Sequence, residues 1–243
     1  MRTTPERWWS VNMPISAHEP TTPSSTSDVL VSGAGVSRTV NAAGHRRPVL
    51  RAVSIALVGG LVLGALTSFA QTYLPASLSS FANSSGGWSM LVFLLVRLGG
   101  ARLPLASLLG LISFWALLEG YDIVTAWRGF GYSPPFSDVF WLLSFPAGPI
   151  LGGAAALTLH GRGSWRVLGV APLAGVLIGE GIWALGAVAD TTSPVYWWLE
   201  IVLGVGFLLI AVLRIRPRPR YIVLALVLTA LAAVCFFAAY SLV

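Results

Sequence analysis

Four carboxyl side chains, Glu119, Asp122, Glu180 and Glu200, stand inside apolar stretches of a chain in which only 10% of residues are charged. Glu180 lies deepest. Its stretch, VLGVAPLAGVLIGEGIWALGAVA, offers about twenty apolar or small residues in a row, long enough to cross the hydrocarbon core of a bilayer. A carboxylate at that depth costs several kcal/mol unless it is paired, hydrated or protonated, and its own span holds no basic residue. An acid so placed can bind a cation or carry a proton. The substrate-binding residues expected from the sequence are Glu180, Glu119, Asp122, Glu200, Asn83, Trp88 and Trp183. The acids answer positive charge, Asn83 answers hydrogen bonds, and indole faces suit organic cations. The bland alternatives are definite too. Glu119, Asp122 and Glu200 read as hydrated side chains near helix ends, and Trp88, Trp127, Tyr132, Trp141, Tyr196, Trp197 and Trp198 as an interfacial aromatic belt.

Several chemistries are excluded. All 15 basic residues are arginine, so nothing that needs a lysine is available: a Schiff base, a phosphate-binding loop of the Walker type or a serine-lysine dyad. Serine hydrolysis needs a histidine beside the nucleophile, yet His160 falls at the opposite end of the spans from the serines at 79–85. There is no H-E-x-x-H and no Cys/His cluster, Cys235 is alone, and neither a metal nor another cofactor is expected. Tyr121-Asp122 matches half of an intramembrane aspartyl protease signature, but GEG at 179–181 does not supply the G-x-G-D half.

The elements that would hold these residues follow from hydropathy and charge. With 56% hydrophobic residues and a mean hydropathy of +0.78, the chain falls in the multi-pass membrane class. Residues 1–48, rich in Thr, Ser, Pro and Gly, read as a disordered cytoplasmic tail, and 49–243 as the transmembrane domain. Spans are expected near 52–73, 79–98, 103–124, 139–159, 167–187, 196–213 and 221–240. The second is the least regular. Its strongly apolar part, Trp88–Leu98, covers about 16 Å, so the polar half at 79–85 must enter the membrane as well, against protein or a water-filled cavity. Short, glycine-interrupted spans of this kind point to transporter binding sites. In the fourth span Pro146 and Pro149 predict a kink or break. The arginines then set the orientation: Arg46, Arg47, Arg51, Arg97, Arg102, Arg162, Arg166 and the run RIRPRPR at 214–220 fall on one side, and Arg128 on the other. By the positive-inside rule this is an all-α bundle of about seven transmembrane helices, N-terminus inside and C-terminus outside. The net charge of +6 is thereby topology rather than a nucleic-acid footprint.

SSFANSSGGWS, GYSPPFSDVFW and GEGIWALGAVADTTSPVYWWLE resemble the recurring stretches of an uncharacterised family of small actinobacterial multi-pass membrane proteins, a domain of unknown function, from about Leu50 to the C-terminus. The resemblance implies architecture and location in the cell membrane, and carries no site residues.

Two functional classes follow. In one, an outward-facing acidic and aromatic cavity takes a small solute, an organic cation for choice, with Glu180 binding it or a coupling proton. In the other, the protein is a membrane scaffold or assembly factor whose intramembrane polar groups serve only as interhelical hydrogen bonds. In either, the partners are the bilayer and, at the 214–220 arginine loop, a protein or anionic lipid. Convergence of Glu180, Glu119, Glu200 and the 79–85 segment on one cavity would favour the first.

Overall fold

The computed structural model describes residues 33–241. Chain contacts divide it into Met1–Asn41, of which only the helical residues 33–41 are described, and Ala42–Val243. Seven α-helices are present among the described residues, with no strand: α1 (Gly33–Tyr73), α2 (Ser85–Gly99), α3 (Leu103–Trp127), α4 (Val139–His160), α5 (Ala171–Ala187), α6 (Pro194–Ile215) and α7 (Pro219–Ser241). Short 3-10 turns, Ser79–Asn83 and Gly163–Gly169, lead into α2 and α5. Residues 1–32 of the expected tail lie outside the described residues, and α1 begins within that tail, at Gly33.

Among the described residues, six segments of 22 to 26 residues are long and apolar enough to cross a membrane: Pro48–Tyr73, Leu103–Trp127, Val139–His160, Gly163–Ala187, Pro194–Ile215 and Pro219–Ser241. The exception is α2. The expected second span, 79–98, is a 3-10 turn followed by a helix of 15 residues, about 22 Å, with the chain broken at Ser84. In α4 the expected break does not occur, and Val139–His160 continues as one helix through Pro146 and Pro149.

Glycines let these helices approach to backbone contact. A Cβ on Gly64 would meet the Leu117 carbonyl of α3, and one on Gly110 the Gly148 carbonyl of α4, so neither position has room for a side chain. Gly179 and Gly181, on either side of Glu180, face the backbones of α7 at Ala233 and of α6 at Trp197, each 2.8 Å from a built Cβ. The outward faces are apolar as well as the core. Leu213, Val223, Leu231 and Val234 are each more than half exposed, an arrangement that suits lipid rather than water.

The direction of each helix places the loops. His160 Nε2 is 3.1 Å from the Gly100 carbonyl, Arg97 Nη1 donates to Thr158 Oγ1 at 2.6 Å, and the Arg218 N–H donates to Ser164 Oγ at 3.2 Å. The ends of α2, α4 and α6 therefore share one end of the bundle with the starts of α3, α5 and α7. Arg128 lies at the other end, donating to the Ser68 carbonyl and to Ser68 Oγ on α1, with its guanidinium 5.2 Å from the Phe69 ring centre.

Candidate functional site

The break at Ser84 leaves the first N–H groups of α2 without intrahelical partners. Ser84 itself caps one, its Oγ accepting the Gly87 N–H at 2.8 Å. Glu180, from the middle of α5, satisfies two more. Its Oε1 accepts the Ser85 N–H at 2.9 Å and its Oε2 accepts the Gly86 N–H. A carboxylate at a helix N-terminus also meets the positive end of the helix dipole. The neighbouring position is Gly86 because the two carboxyl groups occupy the space beside it: a Cβ there would meet Glu200 Oε1 and, at 2.8 Å, Glu180 Oε2.

Glu200 of α6 completes the cluster. Ser84 Oγ lies 2.9 Å from Glu180 Oε2 and 3.0 Å from Glu200 Oε1, so one hydroxyl bridges two carboxyl groups from different helices. Both acids are sealed, Glu180 at 3% exposure and Glu200 at 2%, and Glu200 Oε2 has no hydrogen-bond partner. Among the described residues no basic side chain contacts the pair. Tyr196 faces it from α6, and Tyr240 of α7 hydrogen-bonds Ser85 Oγ beside it.

Asn83, Trp88 and Asp122 line, together with Ser84 and Ser85, a cavity of about 370 Å³ that also includes Tyr121 and Asp138. Asn83 Oδ1 accepts from the Gln71 amide, which also donates to the Tyr121 hydroxyl at 2.7 Å. The Trp88 indole donates to the Ala82 carbonyl at 3.1 Å and packs edge-on against Tyr121, with ring centres 5.4 Å apart. Asp138 caps α4 by accepting the Phe140 and Trp141 N–H groups at 2.9 and 3.2 Å.

Glu119 is not part of either group. It accepts a 3.0 Å hydrogen bond from Tyr132 of the following loop, and that bond to the nearby carboxylate pushes the Tyr132 phenol above its ordinary range. Trp183 flanks the cluster, its ring centre 5.1 Å from that of Tyr240. Convergence is thus partial: Glu180, Glu200 and the 84–86 backbone meet, while Glu119 stands apart. Two of the bland expectations are also corrected. Glu200 and Asp122 are buried rather than hydrated at helix ends, and Trp88, Trp141, Tyr196 and Trp197 turn inward, leaving Trp127, Tyr132 and Trp198 exposed. Sequence reasoning assigned no role to Gly86 or Tyr240 and placed Tyr196 in the belt; the glycine pair at 86–87 directly after a serine run was the available signal for a close approach.

No curated protein and no solved structure matches the chain. The chain belongs to a family of unknown function (DUF6518), whose model matches residues 43–243.

Proposed function

From membership in a family that brings no activity with it, we propose that this is a multi-pass protein of the cell membrane that binds or transports a small cationic solute, with a proton held by the Glu180–Glu200 pair. It crosses seven times, N-terminus inside and C-terminus outside, α2 with its preceding turn making the second crossing. The arginine distribution between the two ends of the bundle supports this orientation.

The observation that carries the reading is the single Ser84 hydroxyl between two carboxyl groups. That hydroxyl has one proton to donate, and it already accepts from Gly87. Glu180 takes two backbone N–H groups besides, whereas Glu200 Oε2 has no hydrogen-bond partner. The network closes when Glu200 brings a proton of its own, donates it to Ser84 Oγ, and Ser84 donates on to Glu180. Transporters build substrate and coupling-ion sites at helices broken inside the membrane, and the break at Ser84 is such a place. The adjoining cavity supplies Asp122, Asp138 and the faces of Trp88 and Tyr121 for a cation.

The scaffold reading has its own support, since both Glu180 oxygens are spent on the start of α2. Glu200→Gln separates the two. The amide keeps the shape of a protonated Glu200 and can still donate to Ser84, so folding survives in both readings. Binding or flux of tetraethylammonium and a panel of organic cations is measured against pH in proteoliposomes. Loss of pH dependence with intact folding is expected; profiles identical to wild type across the panel would overturn the proton-linked reading and leave the scaffold.

A further inference from the structure

At the opposite end of the bundle, Arg97 of α2, Arg166 of the second 3-10 turn and Arg214 of α6 converge on a cavity of about 710 Å³ that no acidic residue lines. Two of the guanidinium groups are anchored on one residue. Arg97 Nη1 donates to Thr158 Oγ1 at 2.6 Å and Arg166 Nε donates to the Thr158 carbonyl at 2.8 Å, leaving each its remaining N–H groups for an acceptor. Planar guanidinium groups held in this way match the oxygens of a phosphoester.

Deeper in the bundle the walls of the cavity change character. Phe93, Leu94, Phe207 and Ile210 line it between α2 and α6, and at Met90 it adjoins a second cavity of about 250 Å³ that continues between the same two helices toward Leu177 and Leu203. A basic mouth at a helix end, opening into an apolar slot along the helix axes, has the polarity of a lipid with an anionic head. Free phosphate would use the mouth and leave the slot without an occupant.

We propose that the cleft between α2 and α6 holds one anionic membrane lipid, with its phosphoester head on Arg97, Arg166 and Arg214 and an acyl chain running past Met90. The head-group end stands independently of the solute reading, because it lies at the other end of the bundle and uses none of the same side chains, while the slot past Met90 reaches Tyr196 and Glu200. Occupancy ties α2, which Ser84 caps, to α6, which carries Glu200.

The test uses the full chain purified in a neutral detergent with equal amounts of dioleoylphosphatidylglycerol and dioleoylphosphatidylcholine, and native mass spectrometry counts the lipid retained. One phosphatidylglycerol per chain is expected, in preference to phosphatidylcholine and unmoved by added inorganic phosphate. Replacing Arg97 and Arg214 together by Gln weakens retention about fivefold for each arginine removed, whereas Arg218→Gln with Arg220→Gln, the same change in charge outside the cavity, does not. Met90→Trp fills the slot and loses the lipid with every arginine in place. Equal retention of the two lipids, equal loss in both arginine pairs, or displacement by inorganic phosphate would each overturn the proposal. The lipid competition on the unaltered chain decides even where a variant fails to fold.

Discussion

Glu180 accepts the backbone N–H of Gly86 across 94 positions of sequence, and with that bond an acid in the middle of one helix becomes the cap of another. The same side chain accepts the Ser85 N–H through its second oxygen, so both oxygens are occupied by backbone donors. An amide in its place has only one oxygen and would turn an N–H₂ group toward one of those donors. Glu180→Gln is therefore expected to lower stability by about 1–3 kcal/mol, the cost of one buried donor left unsatisfied. Glu200→Gln, whose Oε2 has no partner to lose, is expected to change it little. Thermal unfolding of the two purified variants in one detergent checks this, and equal loss in both would contradict the asymmetry.

Gly86 is the position where the site has no room to spare. A methyl group there meets oxygens of both Glu200 and Glu180, so Gly86→Ala should destabilise by about 1–3 kcal/mol through overpacking. Gly206, with open space where its Cβ would lie, is the control, and Gly206→Ala should be neutral or slightly stabilising. A Gly86→Ala protein as stable as wild type would show that the acids can move apart without cost.

The orientation is open to direct measurement. Reporter fusions after Arg102, Arg162 and Arg218 should read as cytoplasmic, and fusions after Ser133 and Thr191 as external. A cytoplasmic reading at Thr191 would reverse the outer assignment of the carboxyl cluster, because α5 and α6 meet there. Equal readings at Ser133 and Arg102 would remove α3 as a crossing.

The Tyr132–Glu119 hydrogen bond gives a pH effect confined to the loop after α3. The phenol donates, so the neutral form of Tyr132 is favoured in the folded protein and its pKa stands above the ordinary 10.0. The stabilisation is fully present below that ordinary value and is lost as pH rises through the higher folded value. Phenolate absorbance titrations of wild type and Tyr132→Phe should differ by one tyrosine that ionises late. A difference curve centred at or below the ordinary value would remove the hydrogen bond.

Much of this architecture was legible in the chain itself. Runs of about twenty apolar residues determine where helices lie, and the helix starts at Leu103 and Val139 fall where hydropathy places them. The arginine pattern separates the loops into two groups, and Glu180 is conspicuous because a lone carboxyl in such a run has no local partner. Depth, in short, is a one-dimensional property that sequence carries at 1.5 Å per residue. Rotation about the helix axis is not. Glu119 of α3 and Glu200 of α6 both sit toward the same end of the bundle, yet Glu119 reaches a loop tyrosine while Glu200 is sealed against Ser84. In a soluble helix an apolar stripe would announce the inward face; α3, α5 and α6 are apolar all round, because lipid and protein interior make the same demand on a side chain. Only tertiary packing, backbone against backbone at the glycines, decides which acids turn inward and which broken helix they cap.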